Sequence, residues 1–494
     1  MSRTVLIAVL LLASSLLAPS AHADSLALAV RDQQPTRAMQ FLADRADVNS
    51  TDEDGTSALQ WAVHFGYSEL VDRLIQAKAD VRHVSDFGAT AMSEAAVRGD
   101  TQVIGKLLKA GADPDSANDR GQTALMLIAR TANVQAAREL LRKGATVNAI
   151  ETTKGQTALM WAAAQSQPQM IRELLARGAK VDVVSTVAQH QRQVSGEPRA
   201  QHRQSGGYTA LLFAARQGCL SCVQVLVEQG KADIEVSDPD GITPLNLAID
   251  NFNFDIGAYL LSRGADPNLW DLWGRTPLYL AVDLNTVPRG GRADMASLDQ
   301  TTSLRMIELL LAAKANTNLQ LKLFPPYRSV GADRGGDQLL TIGSTPLLRA
   351  ARAADVPAVK LLLAQGARTD LPQIAGITPL LAAAGLGASG VDTRGTLRTE
   401  PQMVETIELL LAAGSKVNEV DSQGRTAMHG AAMGGRNDIV KLLAARGADI
   451  ATRDARGFTP LDYAQGKGGG PGRGQAATVQ EKTAALLQQL VASK

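Results

Sequence analysis

The sequence is poor in the residues that most often build reactive sites. Its 494 residues include two cysteines, six histidines, four tryptophans, six tyrosines and eight phenylalanines. The histidines are too scattered for a zinc site, and no Gly-x-Ser-x-Gly or His-Glu-x-x-His motif occurs. We therefore expect no enzyme, no cofactor and no metal.

The charges nearly cancel. The chain carries 50 basic and 49 acidic residues, a formal net charge of +1. Nucleic-acid-binding proteins usually show a basic excess or a basic stripe. The balance therefore argues against a nucleic acid as the partner.

Only one long apolar run occurs, and it lies at the start of the sequence. Arg3 precedes a stretch from Val5 to Leu17, and the small-residue site Ala21-His22-Ala23 follows. This layout is typical of a cleaved secretory signal peptide, whereas a membrane span needs about 20 apolar residues. We predict a signal peptide over residues 1–23 and a mature chain that is periplasmic or secreted and does not insert into a membrane.

One short phrase recurs eleven times: a glycine, any residue, Thr or Ser, Pro or Ala, then Leu or Met. Most intervals between successive copies are 33 or 34 residues, and a period of this size indicates a repeat array. The opening glycines are Gly55, Gly88, Gly121, Gly155, Gly207, Gly241, Gly274, Gly343, Gly376, Gly424 and Gly457.

The pattern of each copy predicts a turn followed by two helices. A glycine turn comes first, then a Thr or Ser that can cap a helix through its side-chain oxygen. Small residues such as Ala431 and Ala432 allow close helix packing, and a second apolar helix ends at Gly447. In five copies proline takes the first helical position, where no donor is lost: Pro244, Pro277, Pro346, Pro379 and Pro460.

The phrase resembles the ankyrin repeat, most clearly at Gly457-Phe458-Thr459-Pro460-Leu461 and at Gly447-Ala448-Asp449. With the leader, the chain looks like a secreted or periplasmic bacterial protein of this type. The resemblance implies an all-α solenoid of helix–turn–helix units with short β-hairpin fingers, capped at both ends. It also implies that a partner protein binds on the concave groove and the fingers, and we expect a monomer.

The enlarged intervals define the domain organisation. A capping repeat spans 24–49, and repeats one to four span 50–182. A finger insertion at 183–206 is followed by repeats five to seven at 207–318, which contain an insertion at 283–302. A second finger insertion at 319–342 precedes 343–464, which holds repeats eight to ten, the start of repeat eleven and an insertion at 385–403. A Gly-rich linker (465–474) and a capping helix (475–494) end the chain.

Two repeats have lysine in place of the glycine that follows the second helix elsewhere. Lys78 and Lys314 stand where other repeats have the glycine that adopts the left-handed conformation after a helix. Because this conformation is unfavourable for a residue with a Cβ atom, we predict that glycine would stabilise either position.

One candidate docking surface is an apolar and aromatic shelf on the fingers. Its predicted anchors are Leu272 and Trp273 at one turn and Phe324 and Tyr327 in the insertion that follows. Exposed apolar patches usually mark contacts. The alternative is that this finger folds back onto its neighbour.

A second candidate surface runs along the first helix of each repeat. The residue before the alanine pair is aromatic at Trp61, Trp161 and Phe213, and aromatic residues make strong interface anchors. The alternative is that these side chains pack between adjacent helices.

Cys219 and Cys222 leave three interpretations open: a buried residue beside a surface thiol, a local disulfide, or a redox pair. A redox protein built on this pair is therefore one alternative function. Another is a small-molecule or glycan binder that uses the cleft between the two long fingers.

Overall fold

A computed structural model of the chain describes residues 25–192, 201–285, 299–323, 341–387, 399–468 and 478–493. The predicted signal peptide at 1–23 lies outside these residues, as do Phe324, Tyr327 and most of the Gly-rich linker. The backbone divides into two compact units, Met1–Thr152 (unit 1) and Thr153–Lys494 (unit 2).

Unit 1 is built from four helix pairs. They are α1 (Leu26–Arg31), α2 (Pro35–Ala43), α3 (Ala58–Phe65), α4 (Ser68–Gln76), α5 (Ala91–Arg98), α6 (Thr101–Lys109), α7 (Ala124–Ala129) and α8 (Val134–Arg142).

Unit 2 continues the same alternation and adds one hairpin. Its elements are α9 (Ala158–Ala164), α10 (Pro168–Ala176), β1 (Ala188–Arg192), β2 (Gln201–Ser205), α11 (Ala210–Gln217), α12 (Leu220–Glu228), α13 (Pro244–Asp250), α14 (Phe254–Ser262), α15 (Pro277–Asn285), α16 (Ser303–Ala312), α17 (Pro346–Ala353), α18 (Val356–Ala364), α19 (Pro379–Ala383), α20 (Glu400–Ala412), α21 (Ala427–Met433), α22 (Asn437–Ala445), α23 (Pro460–Ala464) and α24 (Glu481–Ala492).

Within each unit the first helices of the repeats stack on one another, and so do the second helices. In unit 1, α3 packs between α1 and α5, while α4 packs between α2 and α6. Alanines such as Ala62 and Ala95 are fully buried in the first row, which allows its helices to approach closely. Larger side chains such as Leu74 and Leu107 fill the core from the second row. The predicted all-α repeat solenoid is confirmed.

Helix starts follow the sequence pattern. The hydroxyl oxygens of Thr123, Thr157 and Thr209 accept hydrogen bonds from backbone N–H groups in the first turn of α7, α9 and α11. The five prolines predicted at the first helical position each begin a helix there. The N–H at this position has no partner within the helix, so proline begins the helix without loss of a hydrogen bond.

The insertions are shorter than the sequence intervals suggest. Helix α15 continues through Asn285, and α20 begins at Glu400, so both predicted insertions, 283–302 and 385–403, include helical residues. In the insertion 183–206, β1 and β2 pair antiparallel. At the chain end, α24 packs on α22 and α23 and buries Leu487.

The two unusual lysines adopt the predicted conformation, with φ of 67° at Lys78 and 69° at Lys314. We expect Lys78→Gly and Lys314→Gly each to raise the free energy of unfolding by about 1 kcal/mol. Lys143→Gly is a matched control, because Lys143 has φ of −92° and glycine there adds only backbone freedom. Denaturant midpoints should rise for the first two variants and fall for the control; a fall for all three would refute the strain argument.

Candidate protein-interaction surface

Several fingers are held by a carboxylate three residues before the repeat glycine. In the first finger, Asp52 Oδ1 accepts the N–H groups of Asp54 at 3.1 Å and Thr56 at 2.8 Å. In a later finger, Asp271 accepts the N–H of Trp273 at 3.0 Å and also pairs with Arg275 Nε at 2.6 Å. These bonds satisfy the turn's donors and fix its shape.

Backbone hydrogen bonds tie neighbouring fingers together. In unit 2, Lys322 N donates to Trp273 O at 2.9 Å, and Ile374 N donates to Ile342 O at 2.8 Å. Between these two links, Gly343 N donates to Leu321 O at 2.8 Å. The described parts of these fingers are therefore joined by backbone hydrogen bonds.

Apolar side chains stand along these fingers. We call Leu272, Leu323, Ile342 and Ile374 the finger shelf. Leu272 is 49% exposed and Ile374 is 68% exposed. Beside them, Lys322 Nζ lies 3.8 Å from the centre of the Trp270 ring, which is itself half exposed. Four large apolar side chains on these joined fingers make this an exposed patch of the kind that marks contacts.

The structure corrects the predicted anchors at this turn. Trp273 is only 5% exposed, so it cannot present its ring to a partner. The Trp273 ring lies 5.0 Å from the Arg275 guanidinium, which pairs with Asp271. Leu272 is exposed at the surface, and its role as an anchor stays a prediction. Phe324 and Tyr327 lie outside the described residues.

One of the three predicted groove residues is buried in the first-helix row. Phe213 is buried beside Tyr208 and beneath the Arg216 guanidinium, which is 5.3 Å from both rings. Arg349, at the equivalent position in α17, is 1% exposed and pairs with Asp283 through Nε at 2.6 Å. Only Trp161 and Trp61 remain half exposed.

In unit 1, Trp61 belongs to a larger aromatic cluster. Its ring stacks on Phe65 with 5.6 Å between ring centres, and His64 packs edge-on against both. Tyr67 lies 5.7 Å from Phe65. His64 and Phe65 lie three and four residues after Trp61, so these three rings share one face of α3. Tyr67 lies just beyond the end of that helix. We call Trp61, His64, Phe65 and Tyr67 the aromatic face.

The first finger lies directly against this face, because Trp61 Nε1 donates to Asp52 Oδ2 at 2.9 Å. Exposed carboxylates follow on successive tips: Asp54, Asp86 and Asp119. Asp86 N donates to Asp54 O at 3.1 Å, which links the first two tips. We call these three residues the acidic finger row. The sequence analysis missed it because the near-zero charge of the whole chain concealed a local acidic excess.

The two cysteines are joined in a disulfide, with Cα atoms 5.2 Å apart. Cys222 is buried, and Cys219 is 8% exposed at the start of α12. Attack by another thiol needs access to a sulfur atom, and this burial restricts it. Among the described residues, no group of three or more His, Cys, Asp or Glu side chains is placed to hold a metal ion.

Nothing in the described part of the chain is a helix of the length and apolar character that crossing a membrane requires. A surface cavity of about 460 Å³ is present in unit 1, at the base of the fingers. Its walls are loop and finger residues that include Arg82, Val84, Asp113 and Pro114. The predicted cleft between the two long fingers includes residues outside the described ranges.

Burial disfavours the charged form of one finger carboxyl group, that of Asp238. Burial raises the pKa of Asp238 to about 6, although its carboxylate accepts the N–H groups of Asp240 and Ile242. The folded chain therefore binds a proton on Asp238 that the unfolded chain releases at lower pH. Its contribution to stability declines as pH rises from about 4 to about 6.

We expect Asp238→Asn to raise the free energy of unfolding by about 1 kcal/mol at pH 8 and to change it little at pH 4. Asn118 shows that an amide can serve at this position, because its Oδ1 accepts the N–H groups of Arg120 and Gln122. The control Asp421→Asn breaks the pair with Arg425 and should destabilise at pH 8. Equal effects of the Asp238 variant at both pH values would contradict the burial argument.

Comparison with known proteins gives one family. The family model described as ankyrin repeats (3 copies) matches residues 26–118, 94–185, 189–271, 211–289 and 399–470. Human ankyrin repeat domain-containing protein 53 is 43% identical over 15% of this chain. The mouse B-cell lymphoma 3 protein homolog is 30% identical over 36% of it, and the Arabidopsis thaliana E3 ubiquitin-protein ligase KEG is 25% identical over 53%.

These relatives are eukaryotic, and the chain spans at most about a third of their length. The chain covers 15% of the human protein's length, 32% of the mouse protein's and 16% of the plant protein's. The similarity therefore concerns the repeats and carries no information about the rest of each relative.

Proposed function

This chain belongs to the ankyrin-repeat family, whose family model covers more than half of it, and on that premise we propose that it is a non-enzymatic scaffold that binds a partner protein outside the cytoplasm. The observation that carries the proposal is the finger shelf. Family membership supports protein binding in general, while the shelf supports a particular surface for it.

The shelf has the physical character of a docking surface. Leu272, Leu323, Ile342 and Ile374 are exposed although burying them would be favourable, and their backbone is fixed by hydrogen bonds between fingers. A rigid surface loses little conformational entropy when a partner docks. A few apolar anchors can then supply most of the binding energy.

Two observations support a location outside the cytoplasm. The sequence of residues 1–23 has the layout of a secretory leader. The Cys219–Cys222 disulfide is suited to an oxidising compartment, because disulfides are rare where thiols are kept reduced. We propose that the leader is removed after Ala23 and that the mature protein acts as a monomer.

The binding proposal is tested by capturing partners from a native envelope extract with residues 24–494. Leu272→Ser/Ile374→Ser is compared with the control Ile150→Ser/Val491→Ser, which removes two equally exposed apolar side chains elsewhere. We expect a defined protein that wild type and control retain and the shelf variant loses. Equal retention by all three would exclude the shelf, and capture of no protein by wild type would refute the scaffold.

The location is tested by mass spectrometry of the exported protein. We expect a mature chain that begins at Asp24 and elutes as a monomer in size-exclusion chromatography with light scattering. Retention of residues 1–23 on a cytoplasmic protein would contradict export.

A further inference from the structure

The first repeats of unit 1 are acidic although the whole chain is neutral. Residues 52–119 contain twelve Asp or Glu residues and six Lys or Arg residues, a local net charge of −6. Three of the carboxylates, Asp54, Asp86 and Asp119, stand exposed on successive finger tips. This local charge is large compared with the total of +1.

The same repeats also expose apolar side chains. Phe87, the neighbour of Asp86 at the finger tip, is 68% exposed, and Val97 on α5 is 61% exposed. Val97 stands 33 residues after His64, at the same repeat position on the adjacent helix. The apolar aromatic face therefore extends from α3 to α5.

Polar contacts hold this surface in place. Glu94 Oε2 lies 2.9 Å from His64 Nδ1, and Arg98 Nη1 donates to His64 O at 2.8 Å. With Trp61 bonded to Asp52, the helix face and the finger are fixed relative to each other. The surface thus combines rigid aromatic anchors with a rim of carboxylates.

We propose that this surface of unit 1 docks a partner-protein segment in which apolar side chains alternate with lysine or arginine. The proposal rests on the proposed function, because it requires the chain to bind proteins, and it adds the chemistry of one partner. The apolar side chains of the segment pack on Trp61, Phe65 and Val97. Its cations reach the carboxylates of the acidic finger row.

Charge complementarity selects this occupant. The acidic finger row repels nucleic acids and anionic lipid surfaces, while it attracts cations at long range and raises the association rate. A purely polar cationic segment would leave the aromatic face in water. A purely apolar segment would gain nothing from the carboxylates. Only a segment with both features uses the whole surface.

The test uses residues 24–494 and three short synthetic peptides of equal length. The first alternates leucine with arginine, the second alternates leucine with glutamate, and the third alternates serine with arginine. Binding is measured by fluorescence anisotropy of labelled peptide at about 50 mM and about 300 mM salt, which shortens the screening length by a factor of about two to three. We expect the Leu/Arg peptide to bind most tightly and to weaken as salt increases.

Matched variants locate the binding. The variant Asp54→Asn/Asp86→Asn/Asp119→Asn removes the charge of the acidic finger row and keeps its shape. The control Asp44→Asn/Glu69→Gln/Glu139→Gln removes the same charge from the row of second helices. We expect the first triple variant to bind the Leu/Arg peptide about tenfold more weakly at low salt and the control to bind like wild type. Phe87→Ser/Val97→Thr should weaken binding of the same peptide at both salt concentrations.

The outcomes separate this inference from the proposed function. Equal binding of the Leu/Arg and Leu/Glu peptides would overturn the inference. So would an equal loss of affinity for the Leu/Arg peptide in the two triple variants. No binding of any peptide would also overturn it. The proposed function does not depend on these results. It would still hold if wild type captured an envelope protein that the finger-shelf variant loses.

Discussion

Replacing Arg349 with leucine should lower the free energy of unfolding by about 3–5 kcal/mol, the largest loss expected from a single substitution in unit 2. The guanidinium is 1% exposed and its Nε lies 2.6 Å from Asp283 Oδ1, which is also buried. Removing one partner leaves the other charge in the interior without this bond. Leucine fits the space, because Leu247 and Leu280 occupy the equivalent positions in α13 and α15.

The double variant Asp283→Ala/Arg349→Leu should recover much of this loss, because replacing a buried ion pair by apolar groups is often neutral. A double-mutant cycle measured by urea denaturation at pH 7 gives the coupling energy. The exposed pair Lys360–Glu405, which joins α18 and α20, is the control, and its cycle should give less than about 1 kcal/mol. Similar coupling in both cycles would show that burial does not control the strength of these pairs.

The fold was predictable because each repeat contains local sequence signals for its turn and its two helices. The glycine turn, the Thr cap, the first-turn proline and the alanine pair are local signals, and eleven copies reinforce one another. Lys78 and Lys314 show that even exceptions could be found, because the array defines what each position normally contains. The ends of α15 and α20 could not be found, because nothing repeats within an insertion.

The candidate site was only partly predictable, since exposure depends on contacts between repeats. Leu272 and Trp273 are adjacent and equally apolar, yet one is at the surface and the other is beneath Arg275. An aspartate four residues before an arginine does not predict this burial. Asp421 and Arg425 form the same pair, and Gln423 between them is exposed. Ile342 and Ile374 are adjacent through a backbone bond between repeats that no local pattern encodes.

His429 is the second residue whose loss should be costly: His429→Ala should lower the free energy of unfolding by about 2–4 kcal/mol. The imidazole is fully buried in α21. Its Nδ1 accepts the backbone N–H of Thr426 at 3.1 Å, and its Nε2 donates to Phe458 O in the next finger at 3.2 Å. Alanine would leave a buried donor and a buried acceptor without these bonds.

Glutamine should substitute for this histidine, because Gln60 already performs the same role in the first full repeat. Its Oε1 accepts the N–H of Ser57 at 2.7 Å, and its Nε2 donates to Ala89 O in the next finger at 2.6 Å. Both side chains therefore connect a helix start to the neighbouring finger. We expect His429→Gln to retain most of the stability at pH 7.

The two variants also differ from wild type in their response to pH. Burial lowers the pKa of His429 below the usual value. A proton on Nδ1 would also remove the acceptor of the Thr426 N–H. The unfolded chain binds the proton first, so wild-type stability is complete above about pH 6.5 and declines as pH falls towards the folded-state pKa. The histidine's contribution to this decline should be absent in His429→Gln. Unfolding free energies measured by urea denaturation between pH 5 and pH 8 would check this, and parallel curves for wild type and His429→Gln would mean that the imidazole titrates alike in both states.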